Sequence, residues 1–432
     1  MDTIIGLTQE EIDLIVKPKK VRNSLGKSQS RLYDETGISD STINNYEKFS
    51  NPISEKMYQR FKTIPQIKDV PYKPDEITKY KEQMYLKMNR LNYNDAEAVR
   101  SEIKRLQNCV EYCFDDDLIA YCSIFIAIYH YMLKEKDECE AIVSSLDKKI
   151  FTDLHWRWYS LLMGMIKHDK WEYIEVMDMY SKANELSIKL GIDNKTLIFK
   201  MGYCLTEMGY PYQANELLLS LTLEDVSFIF YINDFPYKKF VILNYSKTGK
   251  GERALDLLDA IYRNFDWENE DNKHILINMY ITYGQVHDNL GNEEKALDYF
   301  NLSLNLYAEK NEAWLATTCL KLTVLRSYKP DDILINELEE AREIAKKNNF
   351  CFWYEWLNAI YHSLNFDKKA SLGHFIHTSI PKISGYGRIE LVVKFREWLI
   401  DFYAPGSYKE ATKQYKEIAK LKKMIFEGEI IS

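Results

Sequence analysis

A small or apolar residue returns at Ala141, Val176, Ala214, Ala254, Ala296, Leu334, Ala370 and Ala411, in steps of 35 to 42 residues. The clearest copy runs from Asn278 to Leu306, NMYITYGQVHDNLGNEEKALDYFNLSLNL. Gly284 and Ala296 lie on either side of the Asn289–Asn292 turn, and Tyr280, Tyr283 and Phe300 surround them. Small residues at those two places let antiparallel helices cross closely, and the large ones fill the space around the crossing. The frame recurs at Gly202, Leu205, Gly209, Ala214 and Leu218, and at Tyr245, Gly249, Ala254 and Leu258. It recurs again at Leu357, Tyr361 and Ala370, and at Trp398, Phe402, Gly406, Ala411 and Tyr415. Fainter copies surround Ala141, surround Gly164, Tyr180 and Ala183, and surround Leu338 and Ala341. One such hairpin cannot bury its apolar face, so the pattern predicts a stacked array. With 10 Pro and 16 Gly in 432 residues, little interrupts helix elsewhere.

The unit resembles the tetratricopeptide (TPR) repeat, a helix–turn–helix of about 34 residues. That resemblance implies an all-α chain whose residues 116–432 form a right-handed superhelical solenoid. Pro65, Pro71 and Pro74 mark a linker, and residues 71–115 hold it and an irregular first repeat.

Residues 1–70 follow another pattern, VRNSLGKSQSRLYDETGISDSTINNYEKFSNP from Val21 to Pro52. Gln29 opens a short helix with Leu32 inward, Gly37 makes a tight turn, and Ser39 caps the next helix. Ile43 and Tyr46 face inward there, leaving Ser41, Thr42, Asn44, Asn45 and Lys48 exposed. Amides, hydroxyls and a cation are what a recognition helix offers to bases and phosphates. Between Lys17 and Lys68 eleven cations face five acids, in a chain whose net charge is −8. A local basic excess suits phosphate neutralisation, while the overall sign excludes coating of nucleic acid along the whole chain.

The segment resembles the helix-turn-helix of the Cro/repressor-type (XRE) family. Arg22, Gly26, Gln29, Gly37 and Glu47 match that pattern, while Tyr33 and Phe49 depart from it. Arg22, Lys27, Gln29 and Ser39 complete the candidate DNA-contacting residues.

No phosphate loop, dinucleotide loop, HExxH or nucleophile elbow occurs, so no enzyme and no cofactor are expected. The seven cysteines are scattered, which favours buried free thiols in a reducing cytosol. His374 and His377 lie three apart without a second ligand pair, so no metal site is expected. No long uncharged apolar run suggests a membrane span.

Function is expected instead on the concave face, lined by the first helix of each repeat. Projecting the frame gives Phe199, Tyr203 and Thr206; Lys239, Leu243 and Asn244; then Asn278, Thr282, Gln285 and Asn289. Thr323, Arg326, Glu355 and His362 follow. Amides and hydroxyls there can pair with the backbone of an extended peptide whatever its sequence.

A helix-turn-helix followed by a long TPR array resembles the RRNPP family of cytoplasmic quorum-sensing receptors. That resemblance implies a regulator that binds a short signalling peptide in the groove, binds operator DNA and works as a homodimer. The alternative is a TPR protein-binding adaptor or phosphorelay inhibitor without sequence-specific DNA binding.

Overall fold

The computed structural model describes residues 95–112, 116–222, 235–265, 272–328 and 332–427, with the single positions 37, 39, 41 and 81. The chain divides into two compact units, Met1–Leu162 and Met163–Ser432. Every regular element among the described residues is helical. None of these helices is long and apolar enough to cross a membrane.

The first unit holds α1 (Ala96–Tyr112), α2 (Asp116–Met132) and α3 (Lys136–Ser145), and ends within α4 (Asp153–Asp169). Asp95 starts α1 by accepting a bond from the Ala98 N–H at 3.0 Å. Ile124, Phe125, Tyr129 and Trp158 are fully buried in this unit.

The second unit continues with α5 (Tyr173–Leu190), α6 (Lys195–Met208), α7 (Pro211–Leu219), α8 (Phe235–Lys247) and α9 (Gly251–Arg263). Next come α10 (Lys273–Asn289), α11 (Glu293–Leu304), α12 (Glu312–Tyr328), α13 (Asp332–Lys347) and α14 (Cys351–Ser363). The short α15 (Lys369–His374) runs through a π-helical turn into α16 (Ile380–Gly385). Pro381, lacking an N–H, sits just beyond that turn. The chain closes with α17 (Ile389–Tyr403) and α18 (Tyr408–Glu427).

Each recurring position of the sequence lies on the second helix of a hairpin: α3, α5, α7, α9, α11, α13, α15 and α18. Val176, Ala214, Ala254, Ala296 and Leu334 are completely buried there. Two positions differ. Ala141 and Ala370 are exposed, and their neighbours Cys139 and Ser371 turn inward instead. In those two copies the inward position is displaced by one or two residues from the projected frame.

Three hairpins share one packing rule. Gly164, Gly202 and Gly284 on the first helix meet Tyr180, Leu218 and Phe300 on the second, each pair sixteen residues apart. A Cβ on any of the three glycines would come within 2.3 to 2.7 Å of its partner's side chain. Only glycine permits that approach.

In several hairpins the turn places a left-handed residue two positions before the second helix. Gly209, Gly249 and Gly291 do so with φ of 93, 77 and 74°. Trp171 takes the same place before α5 with φ of 62°. A bulky residue is costly there, of order 1–2 kcal/mol.

Candidate functional site

Of the residues projected onto DNA, Arg22, Lys27, Gln29, Thr42, Asn44, Asn45 and Lys48 lie outside the described residues. Ser39 and Ser41 are exposed, and their hydroxyls are 3.1 Å apart. Gly37 adopts φ of 65°, the left-handed conformation that its tight turn demands.

The first helices of the second unit face a two-chambered cavity. One chamber, about 510 Å³, is lined by Trp171, Tyr203, Glu207, Lys239, Asn278, Ile281, Gln285, Glu312, Trp353, Trp356 and Arg388, among others. The other, about 420 Å³, includes Thr206, Leu243, Lys247, Gln285, Asp288, Asn289, Thr323, Glu390 and Lys394. Glu207, Gln285, Leu320, Trp356 and Arg388 line both. Volumes of this size suit a short peptide or another small ligand.

The groove residues expected from sequence divide into two groups. Tyr203, Lys239, Asn278, Gln285 and Asn289 line the cavity and are partly accessible. Lys239 Nζ donates to Asn278 Oδ1 at 3.3 Å, and the Asn289 amide donates to Ser246 Oγ at 2.8 Å. Thr206 and Thr323 touch the cavity but are almost wholly buried.

The others are turned away from it. Asn244 is fully buried and donates to Thr206 Oγ1 at 2.9 Å, tying α8 to α6. Thr282 is fully buried with its hydroxyl on the Asn278 carbonyl at 2.7 Å. Arg326 donates to Ser363 Oγ at 3.0 Å and to its carbonyl at 2.9 Å, joining α12 to α14. Glu355 pairs with Lys382 at 2.6 Å in a separate cleft beside Glu172 and Tyr386. His362 packs against His374 with ring centres 4.1 Å apart and planes tilted by 31°, outside both chambers.

Sequence projection missed the other wall. Arg388 precedes α17 and donates to Glu207 on α6 at 2.7 Å. On α17, Glu390 pairs with Lys247 of α8 at 2.6 Å, and Lys394 with Asp288 of α10 at 3.1 Å. Burial raises the Glu207 carboxyl, but the charges of Arg388, Lys247, Lys239 and His168 outweigh it and hold the pKa below its usual value. Burial lowers Arg388, and Glu207 outweighs that effect, so the pKa rises. Burial also lowers Lys239, with Glu207 opposing. The signal that could have found this wall is the spacing Glu390–Lys394, two opposite charges one turn apart on a helix otherwise rich in apolar residues.

Fold and site together define an α-helical solenoid of TPR-type hairpins with an internal, charged and aromatic ligand-sized cavity. No protein-family model matches the chain, and no curated protein matches it either. Solved structures do. NprR in complex with its cognate peptide NprX matches with a TM-score of 0.69 at 16% identity, over 80% of this chain and 99% of that one. A Rap protein complexed with Competence and Sporulation Factor matches at 0.66 and 13% identity, over 82% and 99%. The apo form of the quorum sensor NprR from B. thuringiensis matches at 0.56 and 16% identity, over 81% and 100%. The resemblance to RRNPP quorum-sensing receptors therefore extends to the fold of most of the chain.

Proposed function

We propose that this chain is a cytoplasmic quorum-sensing transcriptional regulator. A short signalling peptide binds in the cavity of the second unit, and its binding changes how the N-terminal helix-turn-helix engages operator DNA. The observation that carries the reading is the row Lys239, Asn278 and Gln285, presented to one chamber by two consecutive first helices. No hydrogen bond occupies the Gln285 amide among the described residues, and it stands where the chambers meet. An amide can donate to a peptide carbonyl and accept from its N–H at once. A homodimer follows from the chemistry of operators, since one recognition helix per chain reads half of a two-fold site. Peptide in the cavity lies against α17 and its partners α6, α8 and α10, so its arrival alters how those helices are spaced and hence the arrangement of the dimer.

The test is a footprint of purified protein on DNA flanking its own gene, with and without peptide extract from the host culture. A protected site that changes with extract is expected. A site indifferent to extract would leave a plain DNA-binding protein, and no protection at low salt would favour the protein-binding adaptor.

A further inference from the structure

The last helix, α18, turns one face outward. It spans 20 residues, about 30 Å at 1.5 Å per residue. Its inner side is spent on the solenoid. Ala411, Gln414 and Ile418 are buried, and Ile418 packs with Val393 and Ile400 of α17. Glu417 approaches Arg396 at 4.0 Å.

Two rows run along the outer side. The first is aromatic: Tyr408, Tyr415 and Phe426 are 77%, 60% and 69% exposed. Taking about 100° per residue, the three fall within about 20° of one line. Phe426 meets Tyr212 edge-on, ring centres 5.7 Å apart, which carries the row onto α7. One exposed ring is ordinary, but three in line on one helix mark a contact surface.

The second row is cationic. Lys409, Lys413, Lys416 and Lys420 follow one another at spacings of four, three and four. They lie about 110° around the helix from the aromatic row. All four are exposed, and none has an acid within ion-pair distance among the described residues. The helix's other two lysines are paired, Lys422 with Glu397 at 3.2 Å and Lys423 with Glu427 at 3.6 Å. The row is a local feature, since the chain as a whole carries −8.

Thr412 and Ala419 lie between the rows, small, exposed and seven residues apart. They floor a shallow furrow with rings on one side and ammonium groups on the other. The overall charge opposes an extended polyanion, whether nucleic acid or an anionic membrane, because its field reaches well beyond one helix. An antiparallel second α18 would set each lysine row against its own copy, and like charges so placed repel. An acidic amphipathic helix meets neither objection. Its apolar stripe suits the furrow and the rings, and acids on its flank suit the lysines.

We propose that the outer face of α18 is the docking surface for an acidic amphipathic helix of a partner protein. The partner's apolar stripe lies along Thr412 and Ala419, and its acids meet the row from Lys409 to Lys420. The surface lies outside the ligand cavity, so the proposal and the peptide reading stand or fall separately.

The test uses the purified full chain and two labelled helical peptides as long as α18, with the same leucine stripe. One carries glutamates on its flank and the other lysines. Fluorescence polarisation should show saturable binding of the acidic peptide, at least ten-fold tighter than that of its twin. Tyr415→Ser should weaken it at least ten-fold. Lys413→Glu combined with Lys416→Glu should reverse the preference, so that the lysine peptide binds better. All three positions are exposed, and unchanged unfolding midpoints check that the fold is kept. Equal binding of the two peptides, binding of neither, or no effect of Tyr415→Ser would overturn the proposal. Sedimentation of wild type and Tyr415→Ser should give the same association state. A dimer that Tyr415→Ser dissociates would assign the face to a second copy instead. Flotation with phosphatidylglycerol vesicles should recover no protein, and recovery that Tyr415→Ser abolishes would assign the face to a membrane.

Discussion

The ring of Phe300 lies against the backbone of Gly284, so closely that a Cβ built there would come 2.5 Å from Phe300 Cε1. Alanine in an open helix is favoured over glycine by roughly 0.5–1 kcal/mol. Here the sign should reverse. Gly284→Ala is expected to destabilise the chain by about 1–3 kcal/mol through overpacking. Phe300→Leu in that background should recover part of the loss. Denaturant melts of the four proteins in the cycle measure it, and simple additivity would show that the two residues do not meet.

Asn278→Ala and Gln285→Ala should weaken retention of peptide while leaving the unfolding midpoint within experimental spread, because both side chains face the cavity. Asn244→Ala should do the opposite. It leaves the Thr206 hydroxyl without its buried donor and should cost about 1–3 kcal/mol of stability. Equilibrium binding and urea melts on the same preparations separate the two. A stable Asn244→Ala that fails to retain peptide would return that residue to the ligand.

Stability should fall as pH drops from about 6.5 toward 4. Burial pushes the His168 imidazole down to about 4, with the Lys200 charge adding to it. In the unfolded chain the ring titrates near 6.5. Between those values the unfolded state binds the proton and the folded state does not, so the stabilisation is complete above the window and is lost within it. Glu207, held below its usual value, loses its contribution only at lower pH, below the ordinary carboxylate range. His287 and His362 are lowered too and share the slope. Urea melts at several pH values should therefore be less steep in His168→Gln, though not flat. An unchanged slope would mean that His168 is protonated in the folded chain.

Trp171→Gly removes an aromatic stack but also removes backbone strain of order 1–2 kcal/mol. Trp353→Ala removes a buried ring at a relaxed helical position and should cost about 3–5 kcal/mol. The loss in Trp171→Gly should be smaller than that by at least the strain. Chemical denaturation of both variants tests the difference, and equal losses would show that the turn bears no strain.

The hairpins were legible because their geometry is local. Gly284 and Phe300 belong to one repeat, and each apolar period marks its own helix. The near wall of the cavity was partly legible for the same reason. Asn278, Ile281 and Gln285 follow one face of α10, three and seven residues on. Thr282 stands only about 40° around the helix from Asn278, taking about 100° per residue. That rotation is enough to carry it from the cavity into the packing between helices, and sequence spacing alone does not fix where the neighbour begins. The far wall was illegible for another reason. Arg388 meets Glu207 across 181 residues, and Trp171 meets Glu312 across 141. Such pairs depend on how the stacked hairpins return on themselves, which is the sum of many small rotations between repeats.

That return changes what kind of object the second unit is. In a linear array each repeat touches only its neighbours, ends fray first, and stability is close to a sum along a line. Here α17 grips α6, α8 and α10 through three ion pairs, and Gly387 packs on Ile174 at the opposite end of the unit. The line is joined into a loop, so neither terminal hairpin is free to peel away alone. Melting of the unit is then a single cooperative event, and removing α17 and α18 would loosen the first hairpin as much as the last.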